Sequence, residues 1–576
     1  MKTPNSTVPT IVRAIKFLLV VVIQVLHWQA LAIGSWTNVV ATPPGNNGVD
    51  LILLLSDGSV MAHQTGTTNV WYKLTPNNGS YVNGTWTTLA PMNDIRQFFA
   101  SAVLQDGRVF VAGGEYDAQN QPNPFGTIGG SRAEIYDPVA NNWTQINPPA
   151  SVIDPSQGRY FADAGCIVLS NGNVLIAPSD GLTTIIYNPN AHTWITGNPP
   201  HGNQNEATWV KLPDDSILTI DQILSTGNNL NTTERFIPSM NSWITDATTT
   251  VPMYNYAQET GPGLLLPDGR AIFFGGQART AYYTPTGNNS NGSWTEGPGM
   301  ITGTGWDDPA ALMPNGKVLF QVGDKIWPNN AATNYFYYEL DPTANYPTGT
   351  VTSAGNWGSP DTSGVSHRLL NLPDGTILVS NGGSTLHIYR PDGAPQPSWK
   401  PTISSITPNA NGSYHLIGTQ LNGLSQGSSF GDDSQNDSNY PLVRLTDGSG
   451  NVYFARTHDW SSTGVATGNR PVTTEFDLPG PVLVAGPVAY SLVVIANGIS
   501  SAPVQFTGPV WVDFNYNLLP QVGTFANPYH KLGDGVINAP VRGTIFIRTA
   551  GSSSETLTIT KAITIDALGG AATIGH

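Results

Sequence analysis

In Leu372-Pro373-Asp374-Gly375-Thr376-Ile377-Leu378-Val379 a short Asp-Gly turn feeds at once into an apolar run of β-forming residues. The pattern recurs along the chain, at Asp57-Gly58, Asp106-Gly107, Asn171-Gly172, Asp214-Asp215, Asp268-Gly269 and Asn315-Gly316. Each turn launches a run such as Val109-Phe110-Val111 or Val174-Leu175-Ile176. Asp-Gly and Asn-Gly favour tight hairpins whose twist matches paired antiparallel strands. The turns lie 43 to 65 residues apart, the spacing of a repeat whose unit is a small sheet.

Tryptophans keep step with the turns: Trp36, Trp86, Trp143, Trp194, Trp243, Trp294, Trp357 and Trp399 each close a segment. Between turn and tryptophan there is usually a Tyr or Phe followed by a Pro turn, as in Ile135-Tyr136-Asp137-Pro138 and Ile388-Tyr389-Arg390-Pro391. One unit therefore reads as four strands, and stacking the units radially buries both faces of each sheet. The expectation is all-β: a seven-bladed kelch-type β-propeller over 33–400. Eight tryptophans against seven turns leave the closing strand open between Trp36 and Trp399.

Beyond 400 the period stops. Short alternating strands such as Val452-Tyr453-Phe454-Ala455 and Tyr490-Ser491-Leu492-Val493-Val494 suggest an immunoglobulin-like β-sandwich over 401–507. A linker is expected at 508–520. In 521–576, Gly543-Thr544-Ile545-Phe546-Ile547, Glu555-Thr556-Leu557-Thr558-Ile559 and Lys561-Ala562-Ile563-Thr564-Ile565 look like a short β-helix-like segment.

Composition narrows the function. A net charge of −15 leaves no basic stripe for nucleic acid, so no nucleic-acid partner is expected. Lys2, Arg13 and Lys16, the apolar run 17–26 and Ala30-Leu31-Ala32 describe a secretory signal peptide over 1–32, with an uncleaved anchor as the other reading. A secreted, extracellular protein with no membrane span after signal removal follows. The lone Cys166 reads as a buried small hydrophobe rather than a reactive thiol.

Leu266-Pro267-Asp268-Gly269-Arg270, Leu372-Pro373-Asp374-Gly375-Thr376, Tyr440-Pro441-Leu442-Val443-Arg444-Leu445 and Ala455-Arg456-Thr457-His458 carry a resemblance to the galactose oxidase-like proteins. It spans roughly residues 33 to 507, and the stretch from Gly431-Asp432-Asp433 to Thr463-Gly464-Val465 looks like the bacterial secreted members. The resemblance implies copper near the axis, held by two tyrosines and two histidines, with one tyrosine cross-linked to a cysteine. Carried over, the sandwich histidine falls on His458. The Tyr-His pair falls on Val365-Ser366, one place before His367. The cross-linked tyrosine falls on Glu206, and its cysteine falls near Asp163. Without the modified tyrosine, two-electron alcohol oxidation lacks its mechanism, and copper is not expected.

Seven to nine residues before each turn, at the entry to the innermost strand, stand Asp50, Asp163, Glu206, Glu259, Asp307 with Asp308, and Ser366-His367; the second blade offers Gln97-Phe98. Such entry loops converge at one mouth of a propeller. A carboxylate ring there could bind Ca²⁺, hydrogen-bond a sugar, or divide acid and base roles as glycosidases require. The alternative is that these acids cap neighbouring backbone amides. His458 is either a site residue or a hydrogen-bonded packing residue. Trp306, Tyr256, Tyr160 and Trp460 flank these positions, and aromatic faces either stack on sugars or pack between blades. The reading is a secreted propeller binding an extracellular glycan or protein at its mouth, through Asp163, Glu206, Glu259, Asp307, Asp308, His367 and His458. The alternative is a divergent metal-dependent oxidoreductase, or a carboxylate-using hydrolase, on the same scaffold.

Overall fold

The computed structural model describes residues 34–116, 128–154, 156, 159–161, 164–178, 182–204, 207–221, 231–253, 260–276, 278–301, 303, 305, 308–324, 334–357, 366–409, 411–429 and 437–575. The expected signal peptide lies outside them.

Seven antiparallel sheets follow one another along the chain, each numbered here as a blade. Blade 1 comprises Val49–Leu54, Val60–Gln64, Trp71–Asn77 and Ser80–Thr88. Blades 2 to 6 begin at Ala100, Cys166, Trp209, Gly263 and Ala310. Blade 7 takes His367–Asn371, Ile377–Asn381 and His387–Arg390, and its outermost strand is Ser35–Asn38 from the start of the chain. Trp36 therefore closes the ring, and Trp399 instead packs in a short turn against Gly316.

The turns explain their own composition. In every one the side-chain oxygen of the Asp or Asn accepts the amide two residues on, at 3.0 to 3.1 Å. The next residue, glycine in six turns and Asp215 in one, adopts φ between +68° and +87°. Its amide bonds back three residues, as in Gly58 to the Leu55 carbonyl at 3.0 Å and Gly375 to the Leu372 carbonyl at 3.0 Å. This is a type I turn closed by a left-handed residue, not a two-residue hairpin loop, and it accounts for Pro213, Pro267, Pro314 and Pro373 one place before the Asp or Asn.

The tryptophans work between blades. The indole N–H of Trp36, Trp86, Trp143, Trp194 and Trp294 donates to a carbonyl of the preceding blade or its exit (Ala354, Ala41, Ala90, Ile146 and Ala247), at 2.8 to 3.0 Å. Trp243 donates to the Thr184 hydroxyl at 2.7 Å. Apolar side chains of adjacent blades merge into continuous clusters around the ring. Cys166 lies in one of them, its thiol pushed well above the ordinary range by burial.

The sandwich strands form one curled antiparallel path in the order Thr402–Pro408, Tyr414–Thr419, Pro471–Asp477, Val452–His458, Leu442–Asp447, Ala489–Ala496 and Ile499–Ser500. Val452–His458 joins its two halves around a core that includes Leu416, Val443, Phe476 and Leu492. The stretch expected as a linker contributes Val510–Val512, whose uniformly apolar Val-Trp-Val suits a strand buried on both faces. It pairs in parallel with Thr544–Ile547, which pairs in parallel with Thr564–Ala567. These three strands, with the helix Leu532–Asn538 against the first, are the β-helix-like rungs of the C-terminal segment.

Candidate functional site: the mouth of the propeller

Each innermost strand runs from an entry loop on one face to an Asp/Asn-Gly-type turn on the other, so the two faces of the ring have different chemistry. The turn face is covered. The Thr457 amide donates to the Ser56 carbonyl at 3.2 Å, the Trp460 amide to Gln105 at 3.1 Å and the Thr463 amide to Ser170 at 3.3 Å. These bonds dock the sandwich on blades 1 to 3.

From there a segment of the sandwich enters the channel. Ser428–Ser429 pairs with Ala310 and Ala311 on the inner edge of blade 6, and the Ser428 hydroxyl bridges the Ala310 and Leu369 carbonyls of adjacent blades. Asn422, Ser425, Gln426, Asp437, Ser438 and Asn439 are all buried. The Gln426 amide donates to Asp437 at 3.0 Å, and the Lys211 ammonium donates to the Thr463 carbonyl at 2.8 Å. Burial pulls the Lys211 ammonium down to about 8, although Asp437 counters it. Burial likewise pushes the Asp437 carboxyl up to about 6 against the pull of Lys211. The turn end of the channel is plugged by polar protein, and the entry loops stand at the other end.

Of the residues expected at that entry end, Asp163, Glu206, Glu259 and Asp307 lie outside the described residues, as do Tyr256 and Trp306. Asp308 is buried at the entry to blade 6, and its carboxylate accepts the Gly323 amide at 3.1 Å. Asp50 is buried at the entry to blade 1, accepting the Leu51 amide at 2.6 Å and facing His63 Nδ1 at 3.3 Å. Both acids hold local backbone, as tight entry loops require. His367 opens the innermost strand of blade 7, fully buried, with the rings of Tyr335 and Tyr337 at 5.9 and 6.4 Å. The Gln321 amide donates to the Tyr337 hydroxyl at 3.2 Å, and Arg368 donates to the His367 carbonyl at 2.7 Å.

His458 does not join this group. It ends its strand on the turn face, next to the Thr457 amide that bonds to Ser56. Its Nδ1 lies 2.8 Å from Asp459 and its Nε2 3.5 Å from Asp477. Burial lowers its basicity, but the hydrogen bonds to these two carboxylates more than offset that and raise its pKa. His367 starts a five-residue strand that ends at the turn face, so roughly 16 Å of chain separates the levels of the two histidines. The segment that does enter the channel is 422–429 with 437–440, and a motif match at Arg456-Thr457-His458 could not reveal that. Trp460 is buried and stacked on Tyr440 at 4.6 Å, so it packs rather than presents a face.

Two further clusters stand on the entry side of their blades. Glu134 and Glu234 occupy the second position of the third strand in blades 2 and 4, in Ala133-Glu134-Ile135-Tyr136 and Thr233-Glu234-Arg235-Phe236. Glu134 accepts the Asn93 and Asp94 amides and the buried Arg96 guanidinium at 2.8 Å. Glu234 accepts the His201 amide at 2.9 Å, His201 Nδ1 at 2.8 Å and the Gly202 amide. Beside it is Asp221, buried and hydrogen-bonded to the Gln204 amide at 3.0 Å. Burial first, and the Glu234 charge second, raise the Asp221 carboxyl to about 8, so it carries a proton at neutral pH. The shared strand position was visible in sequence, but counting back from the turns looks only at first strands. Among the described residues, no group of three or more His, Cys, Asp or Glu is placed to hold a metal.

No family model matches the chain. An F-box/kelch-repeat protein of Arabidopsis thaliana is 31% identical over 116 residues, 19% of this chain, and the chain spans a quarter of that relative's length (25%). Among solved structures, a copper-bound fungal alcohol oxidase of the AA5 family covers 83% of this chain and 100% of its own, at 14% identity and a TM-score of 0.48. Virginiamycin B lyase from Staphylococcus aureus covers 62% of this chain and 98% of its own, at 13% identity and a TM-score of 0.41. Neither likeness transfers an activity, and the fold rests on the seven blades themselves.

Proposed function

We propose that this chain is a secreted binding protein whose propeller mouth takes an extracellular carbohydrate. The observation that carries the reading is the plug: with the turn end filled by the sandwich segment, a ligand could reach the channel only from the entry face. Beneath the entry loops lie buried, hydrogen-bonded polar side chains, Asp308, Gln321, His367 and Arg368, which would frame such a site from within. Concave sites of this kind, with a few convergent polar groups on a rigid frame, suit a polyhydroxyl ligand.

Titration calorimetry against neutral and acidic oligosaccharides tests it. Binding by the full chain should weaken at least tenfold in a Gln321→Leu/His367→Ala variant that retains its melting temperature. Unchanged affinity would move the ligand elsewhere. The second reading, a metal-dependent oxidoreductase, is favoured by one observation, the histidine flanked by two tyrosines at the mouth. Stoichiometric copper in the isolated protein, with turnover of an alcohol or aldehyde, would replace the binding reading by that one.

A further inference from the structure

The curled sheet of the sandwich does not close on itself. Thr402–Pro408 is one end of its path and, among the described residues, pairs only with Tyr414–Thr419. Val504–Thr507, on the far side of Ala489–Ala496, is the other end and pairs only with that strand. Both end strands line one cavity of about 400 Å³, so they flank an open seam within the sandwich. Six antiparallel pairings separate them, and the two strands therefore run in the same sense. Main-chain groups are left over on both. The Asn409 amide bonds to the Ser413 carbonyl and the Gly508 amide to the Val488 carbonyl. Counting in twos from those bonds, Ile406 on one edge and Gln505 and Thr507 on the other turn their backbone away from their partner strands. Ile403, Ile406 and Val504 stay half-buried beside them, with the sandwich core behind.

The seam has one charged end. Residues 540–544 stand where Pro408 and Thr507 finish their strands: the Thr544 hydroxyl meets that of Tyr414, the cross-strand partner of Pro408, and Ile545 pairs with Val510. Neither hydroxyl has a further partner. Arg542 is the one charged residue among the described residues that line the cavity, in a chain of net charge −15. It sits at φ +63°, a conformation that suits glycine, although its side chain makes no hydrogen bond or ion pair among the described residues. Strain of this kind, with no return to the fold, marks a binding position.

We propose that the seam binds the C-terminal end of an extended peptide from a partner protein, which adds as a strand along it and sets its free carboxylate on Arg542. Strand addition uses the leftover main-chain groups, and apolar side chains at alternate positions of the peptide would cover Ile403, Ile406 and Val504. Charge fixes the direction. A peptide running in the sense of the two edges brings its carboxylate to the guanidinium fork, whereas the opposite sense would bring an ammonium there. The site is separate from the propeller mouth and stands whatever binds at that mouth.

A display library of random heptapeptides with free C-termini, selected on the full chain, supplies the probe. The enriched sequence is then synthesised as the acid and as the C-terminal amide. Fluorescence polarisation should show the acid binding about tenfold or more tighter than the amide. Arg542→Gly should weaken the acid by a similar factor while its melting temperature holds or rises, because glycine relieves the left-handed strain. Hydrogen exchange at Ile406, Gln505 and Thr507 should slow when the peptide is bound. No enriched sequence, or equal affinity for acid and amide, overturns the proposal. So does a bound peptide that leaves those three amides exchanging as before, or a loss in Arg542→Gly that comes only with a fall in melting temperature.

Discussion

Six of the seven turns use glycine at the left-handed position, and the seventh uses Asp215 at φ +68°. A side chain there costs about 1 kcal/mol. What it gains is on the sandwich: Asp215 Oδ2 is 3.7 Å from Arg470, and a Cβ on Gly464 would stand 2.6 Å from Asp215 Oδ1. The Arg470 pair is solvent-exposed and worth well under 1 kcal/mol. Asp215→Gly should therefore leave stability unchanged or raise it by up to about 1 kcal/mol in urea denaturation, and Gly464→Ala, whose methyl meets only the movable ends of Asp215, Ser462 and Arg470, should cost under about 1 kcal/mol. Asp221 gives a second test at this scale. Its folded pKa, about 8, lies above the ordinary 3.8, so the folded state binds more protons between those values. Its stabilising contribution is complete below pH 4 and is lost as pH rises through 8. Asp221→Asn, which keeps a neutral side chain beside Glu234, should remove that part of the slope. Its melting temperature should exceed wild type near pH 8 and approach it near pH 4. Parallel curves would show that Asp221 is ionised throughout.

At the scale of the element, the outer-strand tryptophans explain why blades separated by variable loops still close into a ring. Most anchor their blade to the preceding one through an indole N–H donated to a part-buried carbonyl, on top of the ring packing. Trp143→Phe keeps most of the ring contact with Trp71 and Tyr136 but removes the bond to the part-buried Ala90 carbonyl, and should cost about 0.5–1.5 kcal/mol by chemical denaturation. A loss below a few tenths would mean that packing alone holds the blades. This periodic layer was legible in the sequence because local chemistry specifies it: Asp57 or Asn315 must cap its own turn, Gly58 or Gly316 must take positive φ, and Trp36 needs a blade to close. The mouth was less legible. Whether Asp308 caps a backbone amide or faces the well depends on Gly323, fifteen residues away in sequence and on another strand. The place of His458 was hidden for a related reason: a motif match at Arg456-Thr457-His458 does not say which sandwich segment enters the channel, and in the fold it is 422–429 with 437–440. Val510–Val512 was hidden because a three-residue strand in a parallel rung has no turn of its own to announce it.

For the whole molecule, the plug raises an energetic question, since a channel filled by apolar side chains would avoid burying Lys211 and Asp437. Both groups are held toward their neutral forms: Asp437 at about 6 against an ordinary 3.8, and Lys211 at about 8 against 10.5. The Asp437 contribution is complete below pH 3.8 and is lost as pH rises through 6. The Lys211 contribution is complete above pH 10.5 and is lost as pH falls through 8. Between pH 6 and 8 both are charged in the fold, and the attachment of sandwich to propeller is weakest there, by on the order of 3 kcal/mol for each group. Replacing both by neutral groups of similar shape, Lys211→Met with Asp437→Asn, keeps an acceptor for Gln426 while removing the two buried charges, the kind of exchange that is often stabilising. The double variant should melt above wild type at pH 7, and the difference should shrink toward pH 4 and toward pH 10.5. Hydrogen exchange at residues 422–429 should slow in the variant at pH 7 if the gain lies in the plug. A melting difference that does not vary with pH would show that the two side chains act through packing alone, and the charged pair would then have no part in how the sandwich is held.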